Sequence, residues 1–283
     1  MLGPLIGWLP AWLRWRVYSR LVGDPFAPGP DQAVVRRVGP HGYRMILNRS
    51  DWLERYAADC GWFYDAGTVG VLELFIKPGA VVVDVGANVG FTVLTAAALA
   101  GPSGRVAAFE PNPIAADRLR ANLDRNGLSN VELHRVALAA EAGELHLDVG
   151  DHHGAGSLRT GAGQLVPVRR GDDFAFAPDF IKIDVEGFEF QALRGFAQTI
   201  ERHRPTVMLE VTSDWLKQVG DSAEAIFDFM QAFGYEAWAP RLLHSGAVDL
   251  VPLTGPLNVT QFDVLFAHPS QIKDSRAFAK RRF

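Results

Sequence analysis

Three short stretches collect the residue types that could do chemistry. Asp84-Val85-Gly86-Ala87-Asn88-Val89-Gly90 sets a carboxylate beside two glycines and an asparagine. Glu110 stands immediately before Pro111-Asn112-Pro113, and Asp184 and Glu186 flank Val185 ahead of Gly187. Glycines let a ligand lie against bare backbone, and carboxylates hold hydroxyls or take protons. The first stretch reads G-x-N-x-G. It is not the dinucleotide pattern G-x-G-x-x-G, and it lacks the lysine of a phosphate-binding loop. Asp84 puts negative charge where a pyrophosphate would otherwise sit. The ligand this pattern suits has a cationic head and no phosphate, and S-adenosylmethionine is such a molecule.

These residues must be positioned by an open α/β sheet. Val81-Val82-Val83-Asp84-Val85 reads as a buried parallel strand that stops at Gly86. Phe91 to Ala100 has helix length and ends at Gly101-Pro102. A second strand, Arg105 to Phe109, delivers Glu110. Asn112 is a helix N-cap with Pro113 in the first helical position, and Ala116, Leu119 and Leu123 share one face of that helix. Val131 to Val136 forms the third strand, and Asp179 to Asp184 the fourth. Glu144 to Val149 and Leu165 to Arg169 are short strands on either side of a glycine-rich segment, 150–163, that holds His152 and His153. A further strand runs from Pro205 to Val211 and contains Glu210. Ile226, Phe229, Met230 and Phe233 make the apolar stripe of a helix introduced by Asp221 and Glu224 as a capping pair. Tyr235 to Trp238 and Phe262 to Ala267 are the last two strands, with 239–261 between them as loop. Such alternation requires a mostly parallel sheet, here of seven strands, with helices on both faces.

The flanks differ in character. Residues 1–79 read as an N-terminal cap of helices and a hairpin, 80–269 as the main domain and 270–283 as a basic tail. In the first 22 residues the only charges are Arg14, Arg16 and Arg20, set among Trp8, Trp12, Trp15 and Tyr18. Such a helix either packs on the main domain and covers the site or lies on a lipid surface. The first apolar run is interrupted by Pro4 and Pro10 and has no basic residue before it, unlike a secretory signal, and it is too short to span a bilayer. A net charge of −4 argues against general nucleic-acid binding, and Cys60, the single cysteine, has no intrachain disulfide partner. Its plain reading is a small buried apolar residue in a reducing compartment. A cytoplasmic protein is expected, peripheral at the inner membrane face if the first helix touches lipid.

Asp84 to Gly90, Phe109 to Pro113 and Ile181-Lys182-Ile183-Asp184-Val185-Glu186-Gly187, in that order and spacing, resemble the signature stretches of the FkbM family. These are S-adenosylmethionine-dependent methyltransferases of the Rossmann-like class I fold. The similarity runs from about Val81 to Glu210. It implies that Gly86, Ala87, Asn88 and Gly90 approach the methionine moiety, with Asp84 supporting that end. Glu110 and Pro111 would meet the ribose, Asn112 would lie near the adenosine, and Val136 and Ala137 would flank adenine unless they are plain core. Asp184 would face methyl donor and acceptor.

Methyl transfer to a hydroxyl needs orientation and a path for the proton. The candidates are Asp184, Glu186 and the loop histidines, chiefly His153. Glu186 also fits the start of a helix, where the dipole favours its charge. Asp184, Glu186 and Glu210 suit Mg²⁺, but a metal-free site would show the same three acids, and no metal is expected. The reading is a small-molecule O-methyltransferase acting on a sugar, glycolipid or polyketide-like product. The alternatives are N- or carboxyl-methylation on the same fold, a nicotinamide-dependent oxidoreductase, and a non-catalytic membrane-associated binding module.

Overall fold

The computed structural model describes residues 6, 9–27, 29–63, 65–148, 157–159 and 163–272. His152, His153, Trp8 and the basic tail from residue 273 lie outside them.

A hairpin of β1 (Ala33–Val38) and β2 (Tyr43–Asn48) turns at Gly39 and Gly42. The central sheet begins with β3 (Val81–Val85), β4 (Arg105–Phe109) and β5 (Val131–His134). The short strands β6 (Ala137–Leu138), β7 (Gly143–Asp148), β8 (Ser157–Arg159) and β9 (Gln164–Arg169) make a separate small sheet. The chain then returns to the central sheet through β10 (Phe180–Ile183), β11 (Thr206–Thr212), β12 (Glu236–Leu242), β13 (Val248–Leu253) and β14 (Gln261–Ala267). Strand order across it is β13-β12-β14-β11-β10-β3-β4-β5. The run β11-β10-β3-β4-β5 is parallel, and β14 inserts antiparallel between β11 and β12.

This is the expected doubly wound α/β architecture with one strand more than seven. The extra strand, β13, comes from the segment read as loop. Proline and glycine suggested a break there, but Pro240 and Pro252 sit in an edge hairpin, where a missing N–H costs no ladder bond. A second correction concerns the helix Ala223–Ala232. Its cap is Ser222, whose hydroxyl accepts from the Ala225 N–H, while Asp221 accepts from Gln191 Nε2.

Alternate side chains of the buried strands feed two cores. Val83, Val85, Phe109, Ile181 and Ile183 pack with the helices Glu189–Arg194, Ala197–His203 and Ala223–Ala232. Val82, Val106, Ala108 and Phe180 pack on the other face with Ala66–Phe75, Phe91–Ala100 and Pro113–Asn126.

The hairpin and the helices Ala11–Val22 and Trp52–Cys60 press on this domain. Val38, Met45, Leu47 and Ala57 share a cluster with Val89, Phe91 and Leu94. Asn122, wholly buried, accepts from the Ile46 N–H at 2.7 Å and donates to the Val89 carbonyl at 2.9 Å. Arg118 pairs with buried Glu54. Of the two readings of the first helix, packing is what the structure shows: Tyr18 is fully buried against Tyr56 and Cys60. Among the described residues no helix is long and apolar enough to cross a membrane.

Candidate active site

The parallel strands end on one rim, where open α/β sheets bind ligands. Gly86, with φ +84°, turns the chain there, and a Cβ on it would lie 1.8 Å from the Asp184 carbonyl oxygen. The ends of β3 and β10 therefore meet only because this position has no side chain. The Gly86 and Ala87 N–H groups both donate to the Phe109 carbonyl at 3.0 Å, which pins the loop to β4. Glu110 clamps it further. Its two carboxylate oxygens accept from the Asn88 N–H at 2.7 Å and the Asn112 N–H at 2.8 Å. Each oxygen keeps capacity for a second donor. Burial pushes the Glu110 carboxyl up to about 7, against the pull of those two amides.

A cavity of about 510 Å³ opens on this rim. Gly86, Ala87, Asn88, Glu110, Pro111, Asn112, Val136, Ala137, Asp184 and Glu186 all line it. Two of the residues expected there do not. Gly90 is a packing position, since a Cβ would come within 2.5 Å of Leu119 Cδ1. Asp84, 2% exposed, stands one layer back, accepts from the Thr92 hydroxyl and lies 3.7 Å from the Lys182 ammonium. Its charge reaches the cavity through Lys182 rather than facing a ligand. His153 lies outside the described residues.

Lys182 was not legible as a site residue, although a lysine inside an apolar parallel strand signals a paired buried charge. It is paired in register with Asp84 across β10 and β3, and its Nζ is 3.0 Å from Asp184 Oδ2. Burial lowers its proton affinity, but Asp184 and Asp84 outweigh burial and hold the ammonium above the ordinary lysine value. It is a fixed cation among the acids. Among the described residues no group of three potential ligands is set to hold a metal ion.

Glu186 departs from the helix-start reading. The helix begins at Glu189, and Glu186 sits in the preceding turn with φ +50°. Among the described residues its carboxylate has no hydrogen-bond or ion-pair partner. Burial, then the charges of Asp184 and Glu210, push it up to about 8. Glu210 is likewise pushed up to about 8 by burial and Asp184, and accepts from Gln261. The cap also enters the site, a contribution without a sequence motif. Asp65, N-cap of the Ala66–Phe75 helix, lines the cavity with Thr68. Trp15, Phe26 and Trp52 close that side, with ring centroids 5.1–5.9 Å apart.

A glycine loop at the end of β3, with Glu110 after β4 and Asp184 after β10 on either side of it, makes a ligand site of the open α/β kind. Residues 84–237 match the family model for the methyltransferase FkbM domain, and the chain belongs to that family. Over 125 residues it is 30% identical to the hexuronic acid methyltransferase AglP of Haloferax volcanii, a stretch covering 42% of this chain and 50% of that protein. The chain thus spans about half the length of that relative. The FkbM methyltransferase structure from Methylobacillus flagellatus KT is similar in fold, with 22% identity, 66% of this chain and 43% of that one covered, and a TM-score of 0.43. An S-adenosylmethionine-dependent O-methyltransferase from Thermotoga maritima covers 88% of this chain and 80% of its own at 12% identity and TM-score 0.41.

The family's cofactor is S-adenosylmethionine. The residues present fit it: a loop without Cβ at Gly86, a buried carboxylate with acceptor capacity at Glu110, and a carboxylate-rich rim for a sulfonium.

Proposed function

We propose that this protein transfers a methyl group from S-adenosylmethionine to a hydroxyl of a small molecule, of the sugar, glycolipid or polyketide-like kind. The observation that carries the reading is that one cavity joins the Gly86–Asn88 loop, Glu110 and the Glu186 carboxylate, which has no partner among the described residues. In this reading Gly86, Ala87 and Asn88 hold the methionine end, Glu110 and Pro111 the ribose, Asn112 the adenosine, and Val136 and Ala137 the adenine. When bound, the cofactor supplies an electrophilic methyl carbon on a good leaving group. The protein orients the acceptor oxygen and removes its proton. Glu186 is the base, because it lines the cavity, its carboxyl is pushed up to about 8 and no partner among the described residues competes for it. Asp184, tied to Lys182, orients instead of taking the proton. The name of the Haloferax relative supports a sugar acceptor, and a hexuronic acid offers hydroxyl and carboxyl oxygens but no nitrogen.

Calorimetric titration tests it. S-adenosylmethionine should bind with NAD showing no heat, and Glu110→Ala should weaken the binding. Binding of NAD in its place would sink the reading. Peripheral contact with anionic lipid is proposed for the first helix, whose Arg16 and Arg20 are exposed beside Leu21. Arg16→Glu with Arg20→Glu should reduce pelleting with phosphatidylserine vesicles. Equal pelleting would leave the helix only its packing role.

A further inference from the structure

We propose that the methyl acceptor is a sugar ring seated in a second cleft on the outer side of Glu186, with the Trp215 indole as its platform. The inference rests on the methyl-transfer reading above and names the place and class of its acceptor.

The cleft has a volume of about 700 Å³. One wall is the turn from Ala139 to Leu145 between β6 and β7, and the other carries Gln191, Arg194 and Gln218. Glu186 and Trp215 line both this cleft and the donor cavity, so the two spaces meet across these side chains. An acceptor in the cleft would reach the donor past the carboxylate that is to receive its proton. The far side of the donor cavity is shut by Trp15, Phe26 and Trp52. The donor cavity, about 510 Å³, lies in the lower part of the ~300–1,000 Å³ range of small-molecule sites, which leaves an acceptor little room beside a bound donor.

Two local features hold this dividing wall in place. Glu186 keeps φ +50°, a conformation that side-chain-bearing residues hold only where the surroundings over-determine it. Gly187, with φ +102°, lets Trp215 come close, since a Cβ there would lie 2.9 Å from Trp215 Cβ. Trp215 is nonetheless 38% exposed, a large aromatic surface turned to solvent beside two cavities.

The side chains select the ligand class. An indole face takes the C–H face of a pyranose ring. The amides of Gln191 and Gln218 and the guanidinium of Arg194 offer donors and acceptors for ring hydroxyls. The Gln191 amide is steadied by its bond to Asp221 at 2.9 Å. A polyketide or alkyl chain would want a continuous apolar wall, whereas Glu141 and Glu144 interrupt this one.

Saturation-transfer NMR on the full chain, with S-adenosylhomocysteine bound, tests the assignment. The probes are the methyl glycosides of glucose, galactose, rhamnose and glucuronic acid. At least one should receive saturation. The signal should vanish in Trp215→Ala, persist in part in Trp215→Phe, and fall about tenfold in Arg194→Ala/Gln218→Ala, as for loss of anchoring contacts. Nucleoside affinity of the double variant, read by calorimetry, should stay at the wild-type value, because neither residue lines the donor cavity. If the protein binds S-adenosylhomocysteine but no glycoside, or if the signal survives the double variant and follows Trp52→Ala, the acceptor lies elsewhere and the assignment is wrong. Failure to bind S-adenosylhomocysteine at all would overturn the methyl-transfer reading itself.

Discussion

At the scale of the residue, the site rests on acids that burial makes into different tools. Among the described residues Glu186 has no hydrogen-bond partner, and it rises to about 8, so it is poised to accept a proton. We expect kcat to climb with pH and level off above about 8. Glu186→Gln should lose that limb and about 10²-fold in turnover, the lower end for general-base help, with donor affinity intact. A pH–rate profile of the two proteins checks it, and an unchanged limb would move the base to another group. Glu110 is used twice, by the loop's own amides and, in the proposed role, by the ribose. Glu110→Ala should therefore weaken donor binding by about 1.5–3 kcal/mol, the range for a hydrogen bond to a charged group. It should also lower the melting temperature without ligand. A loss of affinity with no change in melting would mean that the amide clamp is dispensable.

At the scale of the element, the close approach of the chain beyond the paired strands β3 and β10 sets the rim. Gly86→Ala forces a methyl group into the Asp184 carbonyl. The positive φ alone costs about 1–3 kcal/mol. We expect a lower denaturant midpoint and no donor binding, and a variant that melts like wild type would show that this approach can relax. The rim was legible from the start. Val81 to Val85 and Ile181 to Asp184 are β-branched strand segments followed by glycine turns, and short-range patterning decides where such strands stop. Lys182 and Asp84 were harder, because only strand register, a long-range fact, makes the two neighbours. A first helix that covers the site was one of the two readings of residues 1–22, and Trp15 does line the cavity, but its partners Phe26 and Trp52 had no signal, since the wall is assembled from separate parts of the cap. The edge strand β13 was hidden by proline, which forbids central strands and tolerates edges.

At the scale of the whole molecule, charge is stored where it resists ionising. Glu186, Glu210, Glu110 and Glu189 all titrate above the ordinary carboxyl value, between about 7 and about 8, chiefly from burial. The folded protein then binds more protons than the unfolded chain over that interval. Stability must fall as pH rises from about 4.5 toward about 8 and flatten beyond. Chemical denaturation across that range should show the slope, and Glu186→Gln should shallow it. A curve that rises instead would contradict the buried setting of these acids. The cap is held by the same means: Arg118→Met leaves Glu54 buried without its cation and should cost about 3 kcal/mol.

Asn122 adds a polar tie between the hairpin and the glycine loop, which already share an apolar cluster. One end of its amide holds β2 of the hairpin, and the other holds the carbonyl of Val89 in the glycine loop. Whatever stills the loop must then still the hairpin, and by reciprocity a loosened hairpin weakens the grip on the nucleoside. Limited proteolysis can read this linkage. At a hundredfold excess over Kd, S-adenosylmethionine adds about 2.7 kcal/mol to the closed form. Cleavage within residues 33–48 should slow accordingly. In Asn122→Ala the ligand should still shield the glycine loop while its protection of the hairpin shrinks, so that one amide amplifies the news of the ligand that the packing of Met45 and Leu47 near Val89 already carries to the outside of the protein.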